Sequence, residues 1–138
     1  MAGYSGTPLV KKLGIKEGFR VAFIGAPHNF DEELGALPED VKKIASPKNN
    51  IDLVLLFANS AGELREKFSR YARTLVPNGM LWISWPKKSA GVVTDLNENL
   101  VREIGLAAGL VDVKVCAVTE IWSGLKFVYR LEDRKHLK

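Results

Sequence analysis

The chain has 138 residues, a formal net charge of +4 and a pI near 9.2. Its length suits one domain, and its 46% apolar and 26% charged residues are ordinary for a globular protein. Its longest apolar run is far short of the roughly 20 residues that cross a bilayer, and its first ten residues do not have the pattern of a secretion signal. One cysteine, Cys116, allows no internal disulfide. Composition therefore argues against a membrane protein and a disulfide scaffold, and it favours a reducing, cytoplasmic setting.

The first quarter of the chain predicts a helix followed by a strand. Residues 1–6 are expected to be irregular. Thr7-Pro8 is typical of a helix start, with Thr as the cap and Pro in the first turn, and it predicts a helix through Leu13. Phe19–Ile24 is a mostly apolar strand that ends at Gly25.

Two short helices are expected next. Asn29 is followed three residues later by Glu32, a spacing that predicts a capping box. Pro38–Lys43 has proline and acids first and lysines last, which suits the dipole of another short helix.

Ile51–Trp85 is the most informative segment. It reads as an apolar strand, a helix whose capping box joins Ser60 to Glu63, a turn at Pro77-Asn78-Gly79, and a second apolar strand. Strands that are apolar on both faces and joined by a helix belong in a parallel sheet covered on both sides. The segment therefore predicts an α/β fold.

The last third predicts a helix and an antiparallel pair of strands. Asp95 and Glu98 are spaced as a cap for the next helix. Val111–Cys116 alternates as a strand, and Ser123-Gly124 suits a tight hairpin turn before a final strand. We predict one α/β domain over residues 1–131 and a basic, disordered tail over residues 132–138.

The order of elements resembles that of class I S-adenosylmethionine-dependent methyltransferases. Gly18–Gly25 is similar to that family's entry into its first strand, and Leu75–Leu81 is similar to its turn into the fifth strand. The opening, Gly3–Lys16, also looks like that of an uncharacterised bacterial family with a domain of unknown function. The methyltransferase resemblance implies a Rossmann-like, mostly parallel sheet with helices on both faces, a C-terminal antiparallel hairpin and a cofactor site over Gly25.

The chain departs from the methyltransferase pattern where the cofactor would lie. After Gly25 the loop has no second glycine, and Pro27 removes a backbone donor. Phe23 stands where the family usually has an acid. Pro27 and Ile51 are separated by about two dozen residues, fewer than the roughly 30 of one full crossover, so the adenosine-binding strands are expected to be missing. We therefore predict a truncated fold with no pocket for the nucleoside and no cofactor.

Three loops follow strand ends and would line one crevice, because ligands lie beyond the carboxyl ends of parallel strands. The residues assigned to this crevice are Gly25, Pro27, His28, Asn59, Trp85, Lys87 and Lys88. The alternative is purely structural: Ser60 caps a helix, the lysines are solvated and Trp85 packs in the core.

Other candidate residues have structural alternatives as well. His28 with Asp31 or Glu32 provides too few ligands for a metal, so no metal and no catalytic residue is predicted. Cys116 is expected to be a packed thiol. Trp122 either anchors a partner or covers the end of the hairpin.

The favoured function is a non-catalytic binding or interaction module, with a small divergent methyltransferase as the alternative. Its partner would be an unidentified protein or a small ligand. A homodimer is expected if nothing in residues 29–46 covers the edge of the first strand, because exposed apolar edges invite pairing. The basic residues are scattered among acids, so nucleic acid is not the expected partner.

Overall fold

The computed structural model describes residues 7–137, so the irregular start predicted for residues 1–6 lies outside it. The helices are α1 (Leu9–Leu13), α2 (Phe30–Leu34), α3 (Ala61–Ala72), α4 (Glu98–Ala107) and α5 (Leu131–Arg134). The strands are β1 (Arg20–Ile24), β2 (Lys42–Lys43), β3 (Ile51–Phe57), β4 (Leu75–Pro86), β5 (Leu110–Ala117) and β6 (Trp122–Tyr129). A 3-10 turn spans Lys88–Ala90.

The strands form a six-stranded sheet in the order β2-β1-β3-β4-β6-β5. The first four strands are parallel, and β6 runs antiparallel between β4 and β5. The predicted α/β class, mostly parallel sheet and C-terminal antiparallel hairpin are therefore confirmed. None of the described helices has the length and apolar character needed to cross a membrane.

Helices cover the sheet on both faces. One face packs against α3 and α4 and includes Trp85, whereas the other packs against α1 and α2 and includes Trp82. The two tryptophans point to opposite faces, as their spacing along one strand requires. Both are almost completely buried.

The predicted cap of α3 is confirmed with one difference. The Glu63 N–H donates to the Ser60 hydroxyl over 3.1 Å, and the Glu63 carboxylate accepts from the Asn59 N–H over 3.0 Å rather than from Ser60. These contacts satisfy two backbone donors at the helix start. Accepting the Asn59 bond lowers the pKa of Glu63, and its contacts with Lys67 act in the same direction.

The helix predicted over Pro38–Lys43 is wrong. Asp40 has a φ of 60°, which breaks a helix, and Lys42–Lys43 instead pairs in parallel with β1. The Lys42 N–H donates to the Phe19 carbonyl over 2.9 Å, and the Ile44 N–H donates to the Val21 carbonyl over 2.7 Å. Sheet bonds to β1 outweigh the local charge pattern, and part of residues 29–46 therefore covers the edge of the first strand.

The predicted turn at Pro77-Asn78-Gly79 is also wrong. These residues lie inside β4, where the register shifts between the pairs Ile51–Leu75 and Leu53–Met80. Between these pairs, one residue of β3 is opposite four of β4, so the extra length forms a bulge and the strand continues through it.

The chain reverses before Ser123-Gly124 rather than at it. Both residues lie in β6 and pair with β4 and β5. The turn is stabilised by the Thr119 hydroxyl, which accepts from the N–H groups of Ile121 and Trp122. A Cβ on Gly124 would lie 2.7 Å from the Val118 side chain, so packing requires the glycine.

Two predicted caps differ from the structure, and a short helix lies at the start of the predicted tail. Asn29 makes no side-chain cap bond at α2. Asp95 accepts from the Ala61 N–H of α3 over 2.8 Å, while α4 is capped by Asn97. The segment expected to be disordered from residue 132 includes most of α5.

Candidate functional site

The carboxyl ends of β1, β3 and β4 lie at one edge of the sheet, as parallel pairing requires. The loops after these strands contain six residues of the predicted crevice, and the seventh, Trp85, lies at the end of β4 itself. The structure does not bring the seven together in one cleft. Pro27 and His28 line a first cleft, and Trp85, Lys87 and Lys88 line a second.

A row of aromatic rings crosses this edge on the face that α1 and α2 cover. Phe30 of α2 packs edge-to-face on Phe23 and on Phe57, with ring centroids 5.3 and 5.1 Å apart. Trp122 extends the row by packing on Phe57 at 5.1 Å. Phe30 is 2% exposed, so this aromatic row is a filled part of the core. Trp122 therefore covers the hairpin end, the structural alternative for this residue.

Gly25 has a structural reason to be glycine. Its φ is +72°, and a Cβ built on it would lie 3.2 Å from the Phe57 carbonyl oxygen. The left-handed backbone and this close approach to β3 require a residue without a side chain. The match of Gly25 to the methyltransferase loop thus follows from local backbone geometry, without a cofactor.

An open cleft lies beside Pro27, where the sequence predicts no pocket for a nucleoside. The first cleft has a volume of about 480 Å³ and extends from Pro27 and His28 to the residues that follow β2. Its floor and walls come from residues of β1, α2 and the β2 segment: Phe23, Ala26, Phe30, Asp31, Lys43, Ile44 and Ala45.

The polar groups of the first cleft are largely paired with each other. Lys43 Nζ lies 3.1 Å from the Asp31 carboxylate, and both side chains are well exposed. Where the methyltransferase resemblance implies a carboxylate at the end of the second strand, this chain has Lys43, Ile44 and Ala45. Asp31 is therefore an ion-pair partner of Lys43, and among residues 7–137 no three His, Cys, Asp or Glu side chains gather as a metal site would need.

The second cleft, of about 420 Å³, lies between the end of β4 and the start of α4. Trp85 is 5% exposed and belongs mainly to the core. Lys87 is tied to the hairpin by its N–H, which donates to the Ile121 carbonyl over 2.7 Å. Across residues 7–137, neither lysine forms a salt bridge. The cleft therefore offers two unpaired ammonium groups.

Three other polar side chains of the second cleft bond to backbone groups, while Glu98 pairs with Arg102. Asp95 holds the start of α3 and Asn97 caps α4. Asn59 is exposed and lines neither of the two clefts. Its N–H donates to the Glu63 carboxylate, and its carbonyl accepts from the Thr94 hydroxyl. These polar residues therefore stabilise the starts of α3 and α4 and the loop between β4 and α4.

Cys116 is half-buried in β5. Burial raises the pKa of its thiol, although Lys12, Lys114 and Lys126 act in the opposite direction. A raised pKa keeps the sulfur protonated and a weak nucleophile, consistent with a packed thiol.

The basic side chains around Cys116 were missed in the sequence because they are adjacent only in space. Lys114 and Lys126 lie on different strands and come opposite each other in the hairpin. Both lysines are visible in the sequence, on the two alternating strands of the hairpin. Only the register of β5 against β6 shows that they are opposite each other.

A family model described as a protein of unknown function, DUF3052, matches residues 10–131. The chain belongs to this family. Among curated proteins, none matches the sequence.

Solved structures similar to this DUF3052 chain are distant in sequence. Magnesium protoporphyrin IX methyltransferase from Synechocystis PCC 6803 is 13% identical with a TM-score of 0.60, over 88% of this chain and 74% of that one. A SAM-dependent methyltransferase from Aquifex aeolicus is 18% identical with a TM-score of 0.58, over 91% and 89%. A possible exported protein from Bordetella parapertussis is 12% identical with a TM-score of 0.63, over 87% and 64%. These likenesses show a methyltransferase-like fold.

Proposed function

We propose that this DUF3052 chain is a non-catalytic binding module built on a degenerate methyltransferase-like fold. The observation that carries the proposal is the end of β2, where Lys43 is held by Asp31 and no carboxylate follows the strand. In the resemblance on which the alternative rests, a carboxylate at this place accepts from the hydroxyls of the cofactor ribose. An ammonium group has no acceptor to offer them.

Two further features support the proposal. Pro27 removes a backbone N–H from the loop that would face the cofactor. The space above the ends of β1 and β3 contains the Phe30 ring, packed against Phe23 and Phe57. A ligand that lay across Gly25 on this face would have to displace a fully buried aromatic side chain.

The test is isothermal titration calorimetry of the purified chain with S-adenosylmethionine and with S-adenosylhomocysteine. We expect no saturable heat and no change in melting temperature with either compound at millimolar concentration. Stoichiometric binding of either compound at micromolar concentration would contradict the proposal. A Lys43→Met variant, which removes the ammonium but keeps the chain length, serves as the control for a nonspecific charge effect.

The second candidate is a small divergent methyltransferase. The first cleft favours it, because about 480 Å³ is within the size range of small-molecule sites and the cleft lies beside Pro27 and His28. This candidate predicts transfer of a labelled methyl group from S-adenosylmethionine to some acceptor, together with the binding that the first candidate excludes. The same calorimetry therefore separates the two.

We propose a bacterial protein in a cytoplasmic setting, and the single half-buried thiol supports the reducing compartment. The proposed partner is a small ligand or an unidentified protein. The reason given for a homodimer was an exposed edge of β1. Since β2 already bonds to that edge, we do not expect a dimer through β1. Size-exclusion chromatography with light scattering is expected to give the mass of one chain.

A further inference from the structure

Four lysines lie where α1 meets the hairpin, and three of them, Lys12, Lys114 and Lys126, are close enough to Cys116 to affect its pKa. The four are Lys12 of α1, Lys16 after it, Lys114 of β5 and Lys126 of β6, and together they are called the lysine cluster below. Burial lowers the pKa of Lys126, and the charges of Lys114 and Lys16 lower it further.

The two hairpin lysines are in direct opposition. Lys114 and Lys126 are cross-strand partners in the antiparallel pair of β5 and β6. Like charges at directly opposed positions destabilise a hairpin, whereas an opposite-charge pair would stabilise it. Violations of local rules of this kind are concentrated at functional sites, where another requirement outweighs stability.

The ring of Trp82 holds the Lys126 charge in place. Lys126 Nζ lies 5.9 Å from the centre of the Trp82 ring, which is fully buried beneath it. Packing of the aliphatic part of Lys126 on an indole is favourable, and the ring face attracts the ammonium. This fixes one positive charge on the sheet surface beside Lys114.

Two lysines of the cluster also bond to backbone carbonyls. Lys12 Nζ donates to the Ala117 carbonyl over 3.1 Å, and Lys114 Nζ donates to the Lys12 carbonyl over 3.3 Å. These bonds fasten α1 to β5 through backbone oxygens. Within residues 7–137, no carboxylate forms a salt bridge with Lys16, Lys114 or Lys126.

We propose that the lysine cluster is a binding site for a compact, phosphate-bearing small molecule. Phosphate oxygens accept several charge-assisted hydrogen bonds at once, and a dianion would offset the repulsion between Lys114 and Lys126. The cluster is confined to the corner between α1 and the hairpin. A nucleic-acid site needs positive charge along a groove or stripe that follows several phosphates, so the compact ligand fits better. The proposed phosphate site does not depend on whether a cofactor binds over Gly25.

The test uses inorganic pyrophosphate as the probe, in calorimetry and thermal unfolding at low ionic strength. We expect saturable binding with one site per chain and a higher melting temperature. Lys126→Met keeps the packing on Trp82 but removes the charge, and it is expected to weaken binding by about tenfold or more. Lys48→Met, on the exposed loop before β3, has the same change in charge and is expected to bind like the wild type.

Lys126→Met also has an expectation without any ligand. Removing one of two opposed charges is expected to raise the melting temperature at low salt, and this gain should shrink as salt is added. Lys114→Gln provides a second variant with the same expected loss of pyrophosphate binding if Lys126→Met folds poorly.

Three outcomes would overturn the proposal. They are no saturable binding of pyrophosphate, equal weakening by Lys48→Met, and binding of a short single-stranded DNA through the cluster with no binding of pyrophosphate. The last result would assign the cluster to nucleic acid instead. None of these outcomes bears on the titrations with S-adenosylmethionine, because the clefts and the lysine cluster share no residue.

Discussion

Replacing Gly105 with alanine is expected to destabilise the protein by about 3 kcal/mol, the upper part of the range for overpacked cores. A Cβ built on Gly105 would lie 2.1 Å from the Phe127 ring, and two more ring atoms lie within 2.6 Å. Phe127 cannot retreat easily, because it is fully buried and packs edge-to-face on Phe68 with centroids 5.2 Å apart. The added methyl group therefore has to push α4 away from the sheet.

The sign of this effect distinguishes packing from helix propensity. Alanine is normally favoured over glycine inside a helix by about 1 kcal/mol. Gly62 of α3 supplies the matched control, since it is exposed and nothing lies within 4 Å of a Cβ built there. Gly62→Ala is expected to stabilise the protein by about 0.5–1 kcal/mol. Urea unfolding at neutral pH measures both variants, and a Gly105→Ala protein as stable as the wild type would contradict the packing of α4 on β6.

Replacing Phe30 with alanine is expected to cost about 3–5 kcal/mol, the usual range for a large buried aromatic side chain. Phe30 is the central contact between α2 and the sheet, and it packs edge-to-face on both Phe23 and Phe57. Its loss removes both contacts and leaves a cavity at the ends of β1 and β3. The five-residue α2 is too short to hold its place alone, since isolated helices of that length are unstable.

Phe30→Leu is the matched variant for this prediction. Leucine keeps most of the apolar volume without the ring, so it is expected to lose clearly less stability than alanine. Hydrogen exchange should show the amides of residues 30–34 unprotected in Phe30→Ala and protected in Phe30→Leu. Equal stability of the two variants in urea would contradict the packing of Phe30 between α2 and the sheet.

The central strand–helix–strand unit was predictable because local and tertiary signals agree there. The α3 stripe of Leu64, Phe68 and Tyr71 is buried, and Ser60 forms the cap that its sequence indicates. β3 is apolar throughout and lies in the middle of the sheet, covered on both faces. A strand that is apolar on both faces has to lie inside a sheet that is covered on both sides.

The predictions that were wrong share a physical cause, which is competition from contacts distant in sequence. Pro38–Lys43 has the charges of a helix, but the free edge of β1 offers sheet bonds to Lys42 and Ile44. Asp95 has the spacing of a cap for its own helix, yet it bonds to Ala61 across the fold. Gly124 has the composition of a turn, but it is required by its contact with Val118.

The candidate site was predictable only in its general place. The rule about strand ends correctly placed Pro27, His28, Trp85 and the two lysines at one edge of the sheet. It could not show that the residues separate into two clefts, because this depends on the Phe30 packing. The lysine cluster needed the register of β5 against β6, which the misplaced hairpin turn concealed.

The most direct test is a crystal structure of the wild-type chain grown with excess S-adenosylmethionine. We expect no density for an adenosyl group over Gly25, with the Phe30 ring still packed between Phe23 and Phe57. Clear density for the nucleoside across Gly25, with α2 displaced, would contradict a binding module that has lost its cofactor site.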